Sequence, residues 1–334
     1  MYDVITIGSN TVDAFVKTSA EVRKVEHLEK RGGTIHKTTE ESIIYPVGDK
    51  ILIDHLEFKT GGGGTNCAVN FALQGLKTAY LGKIGNDSNG DKILHELQSK
   101  NIDFLGSKGQ ITGFSVVLDS ISDDRTILNY KGCSNDLDIS EIDKKTLQAK
   151  WIYLSSMMGQ SYVAAEKIIS QTKSKVAFNP SLYQAKLGID KLKHILKKTD
   201  ALILNKEEIL ALTNQADLSK ALVIAKNNIK GEVIVTNASK GAIHFDGKNL
   251  HKIAPNPKLK IVETTGAGDA FASTYVTATI KKYDLTTRLL LASTQAENVI
   301  GGYGAKETLK RLDTKHNQTV KNKKRIQKIT LKEV

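Results

Sequence analysis

Glu263-Thr264-Thr265-Gly266-Ala267-Gly268-Asp269-Ala270-Phe271 sits where an apolar strand (Leu259, Ile261) is expected to end and a helical run (Phe271, Tyr275, Ala278) to begin. Backbone N–H groups at a helix start lack intrahelical partners, and the helix dipole adds partial positive charge there. Glycines remove the side chains that would hold a phosphate away from those groups. Asp269 sets a carboxylate beside that cradle. A carboxylate there can take a hydroxyl proton while the N–H groups offset charge on a moving phosphoryl group. The pattern points to phosphoryl transfer onto an alcohol. A bare Gly-x-Gly-Asp also occurs as a plain strand-to-helix turn, so a second feature has to agree with it.

Thr60-Gly61-Gly62-Gly63-Gly64-Thr65-Asn66 is that feature. Ala68, Ala72 and Leu76, with Val69 and Leu73, recur at helical spacing, so the glycines open a helix. Thr78 to Gly85 reads as the next strand, and Asn86-Asp87-Ser88-Asn89-Gly90 as a turn. Four glycines let a sugar or nucleoside approach the backbone, and Asn66 can both donate to and accept from a hydroxyl. A flexible loop and a dinucleotide-binding turn are the other readings. Against the latter, no Gly-x-Gly-x-x-Gly follows the first strand, Val4 to Ile7. Gly85 to Lys92 comes nearest to a Gly-x-x-x-x-Gly-Lys-Ser/Thr loop, but Asp91 stands where the lysine belongs.

The two stretches, in this order and about 200 residues apart, resemble the two signatures of the ribokinase/PfkB carbohydrate-kinase family. The resemblance implies an α/β fold: a central, mostly parallel sheet with helices on both faces, and a small β-sheet lid. It implies transfer of the γ-phosphoryl of ATP to a hydroxyl of a small sugar. Asp269 would be the base, and the N–H groups of Gly266, Ala267 and Gly268 the anion hole. Asp13, Gly62, Gly63, Asn66 and Asn179 would hold the acceptor; Asn179 ends the strand Val176–Phe178, where open α/β sheets bind ligands. Asn205, Thr236, Ala238, Gly241 and Asn298 would line the nucleotide. Asn205 and Glu208 match an Asn-x-x-Glu motif that arranges Mg2+-bound water; by themselves they read as an N-cap and its capping-box partner, and both roles can coexist. A nucleoside kinase of the same fold and a non-catalytic sugar or nucleotide sensor are the alternatives.

Three positions depart from the family pattern. Ala238 replaces a glycine, so its turn either avoids a positive φ or carries strain. Glu263 replaces an aspartate that in relatives helps order a monovalent-cation site, which leaves K+ dependence open. Gly63 stands where some relatives have lysine, which favours a neutral acceptor.

Composition bounds the rest. The 334 residues, 40% hydrophobic, suffice for one large domain. No run approaches 18 apolar residues and the chain enters a strand at once, so neither a membrane span nor a signal peptide is expected. Cys67 and Cys133 offer no disulfide framework or zinc spacing, in keeping with a cytoplasmic protein. The net charge of +12 concentrates in 306–334, where ten Lys/Arg face three acids. No aromatic residue follows Tyr303, so that segment is expected to be solvated and not a nucleic-acid platform.

The whole chain reads as a single kinase domain. Strands are expected at Val4–Ile7, Ala79–Ile84, Ile152–Leu154, Val176–Phe178, Leu202–Leu204 and Val233–Thr236. Segments 16–60 and 111–132 show strand-like runs that fall outside this alternation, and they are expected to form the lid. Thr126–Tyr130 should pair with Gly113–Asp119, with Ser120–Arg125 as the hairpin loop. Alternation of Phe114, Val116 and Leu118 predicts one apolar face, resting on the acceptor pocket or on a second subunit. The resemblance implies a homodimer through this lid.

Overall fold

Strands apolar on both faces must be covered on both, which places helices above and below a parallel sheet. The computed structural model describes residues 1–18, 22–31, 34–119, 125–312 and 324–334. The chain begins with β1 (Tyr2–Ile7), β2 (Thr11–Thr18), β3 (Val22–Arg31), β4 (Thr34–Ile43) and β5 (Ile53–Gly61). The glycine run starts α1 (Gly63–Leu73), and β6 (Thr78–Leu81), β7 (Lys83–Gly85) and α2 (Ser88–Ser99) follow. Next come β8 (Asp103–Phe104), β9 (Ser107–Gly109), β10 (Phe114–Asp119) and β11 (Arg125–Tyr130). Strand and helix then alternate: β12 (Ala149–Ser155), α3 (Gly159–Gln171), β13 (Lys175–Asn179), α4 (Leu182–Ala185), α5 (Gly188–Leu196) and β14 (Thr199–Asn205). The remainder is α6 (Lys206–Thr213), α7 (Leu218–Asn228), β15 (Glu232–Thr236), β16 (Ala242–Phe245), β17 (Leu250–Ile253), α8 (Ala267–Ile280), α9 (Leu285–Ile300) and β18 (Ile326–Ile329).

Ten strands form the main sheet, in the order β18-β17-β16-β15-β14-β13-β12-β1-β6-β8. From β8 to β15 all pairings are parallel. One apolar layer joins Ile5, Ile152, Phe178 and Leu202 to Ile169, Leu192 and Leu222 of α3, α5 and α7. The opposite layer joins Val4, Tyr153 and Ile203 to Phe71, Phe271, Tyr275 and Leu289 of α1, α8 and α9. Chain order reverses between β1 and β12, since β6 lies on one side of β1 and β12 on the other. Such a reversal opens a crevice at the carboxyl ends of the strands.

Among the described residues, four strands form a separate sheet, β11-β10-β2-β5, and β3 pairs only with β4. Phe114 lies opposite Tyr130, so β10 and β11 pair as the sequence suggests. Asp13 lies within β2. Register puts Phe58, Ala14, Val116 and Leu128 in one row across the sheet, and Lys59, Asp13, Ser115 and Asn129 in the next. Paired residues share a face and successive ones alternate, so the first row is apolar and the second polar. Both faces are covered at β2, where Ala14 is buried, and Ser115 of β10 is buried on the polar side, whereas Phe58, Leu128 and Tyr130 on the apolar side are 52%, 56% and 56% exposed. This corrects one expectation. The face carrying Phe114, Val116 and Leu118 does not rest on the acceptor pocket, because alternation reveals which residues share a face but not what covers it.

Three further expectations change. Leu259 and Ile261 lie in no strand, because the chain between β17 and α8 runs as loop. The strand expected over Ala79–Ile84 breaks at Gly82, where a Cβ would stand 2.1 Å from the Tyr80 hydroxyl, and β7 leaves to pair with β9. The basic C-terminal segment is not simply solvated. β18 joins the main sheet antiparallel to β17, Arg325 binds Glu297 and Ser293, and Lys306 is buried. Each of these cations has a polar partner in the fold, which removes the cost of burying it unpaired. The hairpin loop expected at Ser120–Arg125 and the basic run Lys321–Arg325 lie largely outside the described residues. Among the described residues, no helix is long and apolar enough to cross a membrane.

Candidate active site

Gly266 caps α8 with φ +78°, and a Cβ there would lie 2.3 Å from that of Ala305. Only glycine fits both constraints. Asp269 follows in the first turn of the helix, and the Asn66 amide of α1 donates to its carboxylate at 2.8 Å. Gly63 lies on the other side of that carboxylate: its added Cβ would stand 3.4 Å from Asp269 Oδ1 and 2.3 Å from Ser155 Oγ. The two glycine stretches thus build one surface. Burial pushes the Asp269 carboxyl above the usual aspartate range, opposed by hydrogen bonds from Asn66 and Cys67 and by the Lys306 charge.

A cavity of about 350 Å³ opens over Asp269. It lies where β1, β12, β13, β14 and β15 end, at the reversal of strand order. Gly63, Asn179, Asn205, Glu208, Thr236, Gly266 and Gly268 line it together with Asp269. The Gly268 N–H has no backbone partner among the described residues and a Cβ there would meet nothing within 4 Å, whereas the Ala267 N–H closes a turn on Thr264 O at 3.3 Å.

Other expected residues stand behind the wall. Asp13 accepts from Thr11 Oγ1 at 3.0 Å, and burial raises its carboxyl against bonds from Ser115 and Thr11 and the charges of Lys306 and Lys131. Gly62 has φ +99°, and a Cβ there would meet Asn10 Cα at 2.5 Å. Ala238 takes φ +41°, so its turn keeps the left-handed geometry and carries the strain. A Cβ on Gly241 would stand 1.9 Å from Ile253 O. Asn298 on α9 donates to Gln295. Asn179 reaches the cavity, but its amide is tied across the sheet, accepting from Tyr153 and donating to Ile203 O at 2.6 Å.

Asn205 and Glu208 form the reciprocal capping box, Asn205 Oδ1 accepting the Glu208 N–H at 2.8 Å and Glu208 Oε2 the Asn205 N–H at 2.7 Å. Burial, then the nearby Asp269 charge, pushes the Glu208 carboxyl up to about 7. Among the described residues, no three His, Cys, Asp or Glu side chains are grouped to hold a metal directly. Two oxygen-bearing side chains lining the cavity, Asn205 and Glu208, nonetheless fit a hydrated Mg2+ that takes its inner ligands from phosphate and water. Glu263 is used differently: its two oxygens accept the N–H groups of Thr265 at 3.2 Å and Gly304 at 2.8 Å.

Several residues here carry no motif. Ser9, Lys131, Ser134, Asn135 and Ser155 line the cavity; of these only Ser155 and Ser9 were findable, from their places at strand ends. Lys306 is the other. Its ammonium donates to Glu96 at 2.6 Å and to Thr60 Oγ1 at 2.9 Å, and Lys59 donates to Tyr303 O. The 303–306 loop therefore touches β5 on one side and, through Glu263 and Ala305, the Gly266 turn on the other.

Comparison with known proteins identifies the family and the fold. A family model described as pfkB family carbohydrate kinase matches residues 35–311. A ribokinase of Lactococcus lactis subsp. lactis is 26% identical, over 79% of this chain and 87% of its own. A cytidine kinase of Thermococcus kodakarensis is 24% identical, over 79% of this chain and 94% of its own. Among solved structures, a putative ribokinase II from E. coli in complex with ATP and Mg2+ superposes with a TM-score of 0.74 at 18% identity, covering 92% of this chain and 96% of that one.

Proposed function

The chain belongs to the pfkB family of carbohydrate kinases, and from that membership we propose that it transfers the γ-phosphoryl of ATP to a hydroxyl of a small sugar held over Asp269. One observation carries the reading. Asn66 holds the Asp269 carboxylate at 2.8 Å in a cavity also lined by Gly268, whose N–H has no backbone partner among the described residues.

Asp269 takes the proton of the acceptor hydroxyl as that oxygen bonds to the γ-phosphorus. The bond from phosphorus to the β–γ bridging oxygen breaks, and ADP leaves. N–H groups at the Gly266–Gly268 turn offset the equatorial charge. A carboxyl held above the usual range suits a base that must accept a proton from an alcohol. Bound Mg2+ would neutralise phosphate charge, held through water by Asn205 and Glu208. The adenosine end lies toward Thr236, where Ala238, Gly241 and Asn298 shape the neighbouring turns. Asp13 orients the acceptor from the lid strand, and lid closure excludes water that would compete for the phosphoryl group. The outer apolar face of the lid pairs with a second copy of the chain. The reaction takes place in the cytoplasm, where the free thiols of buried Cys67 and Cys133 persist.

A panel of sugars and nucleosides, scored by ADP release and by mass of the phosphorylated product, tests this reading. Acceptor-dependent ADP release is the expected result. Finding none across the panel, with ATP bound, rejects it.

A further inference from the structure

Lys131 directly follows β11 and leads into a short turn, 132–135, whose Ser134 and Asn135 line the same cavity. The turn is fixed in place. Gly132 has φ +52° and would set a Cβ 2.5 Å from Ile111 O, and Ser134 Oγ donates to Asn10 O at 3.1 Å. The lysine is half-buried, and its ammonium has neither a hydrogen bond nor an ion pair to any described residue. Its neighbours differ in this respect. Lys306 is bonded to Glu96, and Lys83 to Glu141 at 2.6 Å.

A partly desolvated ammonium without a partner is costly, and an arriving anion offsets that cost. Burial holds the Lys131 ammonium below the ordinary lysine range, and the negative charge of Asp13 raises it only in part. Lys131 approaches from the wall formed by β1 and the lid, beside Ser9, while Asn205 and Thr236 mark the nucleotide side at β14 and β15. Resting on the kinase reading above, we propose that Lys131, with Ser134 and Asn135, forms a subsite for an anionic substituent, phosphate or carboxylate, on the acceptor. Gly63 argues for a neutral acceptor only if the cation must come from that position; Lys131 supplies one from the turn that follows β11.

The test compares matched acceptors: ribose with ribose 5-phosphate for a phosphate, and glucose with gluconate for a carboxylate. The wild type should favour one anionic member by at least about tenfold in kcat/KM. Lys131→Met should raise the KM for that acceptor about 10–100-fold, as expected for a lost charged hydrogen bond. It should leave kcat, the KM for ATP and the neutral partner within about threefold, and Lys131→Arg should retain the preference. Calorimetric binding of the anionic acceptors without ATP gives a readout independent of turnover. Binding that weakens in Lys131→Met, even with no turnover, supports the subsite and rejects only the kinase reading. Equal use of neutral and anionic acceptors overturns the subsite alone. So does a Lys131→Met defect of equal size for every acceptor, which would place the lysine on the transferred phosphoryl group.

Discussion

Asn66 and Asp269 meet through a 2.8 Å bond across 203 residues of sequence. Neither signature holds the carboxylate alone: α8 supplies the carboxyl group and α1 the amide that fixes its rotamer. Asp269→Asn should therefore lower kcat by ~10²–10⁴-fold, since the amide keeps the shape but accepts no proton. ATP affinity, measured by calorimetry, should stay within about threefold. Near-normal turnover in this variant would remove Asp269 as the base.

The pH profile follows from the same burial. Asp269 must be ionised to act and its carboxyl lies above the usual range, so kcat/KM should rise with pH through an inflection above that of an ordinary aspartate. An inflection at or below the ordinary value would contradict this.

Glu208 gives a stability prediction with a definite sign. With its folded pKa raised to about 7, it keeps its proton where the unfolded chain has lost it. The stabilisation is complete below the ordinary glutamate value and is lost as pH rises through about 7. Wild-type Tm without ligand should fall relative to Glu208→Gln between pH 5 and pH 8. The same variant should need more Mg2+ for half-maximal activity, and full wild-type activity in excess chelator would sink the metal role altogether.

Gly266 and Gly268 should separate folding from function. Gly266→Ala meets Ala305 and a φ of +78°, so it should lose ~1–3 kcal/mol of stability along with activity. Gly268→Ala has open space around its Cβ and should melt normally, yet a methyl group at the anion site should weaken ATP binding. A normal Kd for ATP in Gly268→Ala would move the anion hole elsewhere.

Phe58→Asp and Leu128→Asp test the outer lid face. Each should raise the dimer dissociation constant about 30-fold or more, the effect of losing an anchor of ~2 kcal/mol. Sedimentation velocity reads this directly, and a wild type that is monomeric at tens of micromolar ends the dimer proposal.

What was legible in the sequence follows physical locality. Glycine turns, capping boxes and strand pairings are local, so the Gly266 turn, the Asn205–Glu208 box and the β10–β11 pair could be read directly. Lys131 and Lys306 could not, because what places them in or behind the site is packing between distant segments. Alternation in β10 identified a shared face correctly but could not say which face would be covered. The C-terminal cations looked like a solvated run because charge counting takes no account of the partners Glu96 and Glu297.

Asp13 sits on a strand of the small sheet, while Asp269 belongs to the main domain. On the proposed reading, recognition of the acceptor and transfer of the phosphoryl group draw on two different sheets of the fold. If that reading holds, substitutions in the small sheet should shift acceptor choice more than reaction chemistry. Such a division would let gene duplication diversify substrates at little risk, and it would make the small sheet the part to randomise when engineering a new specificity.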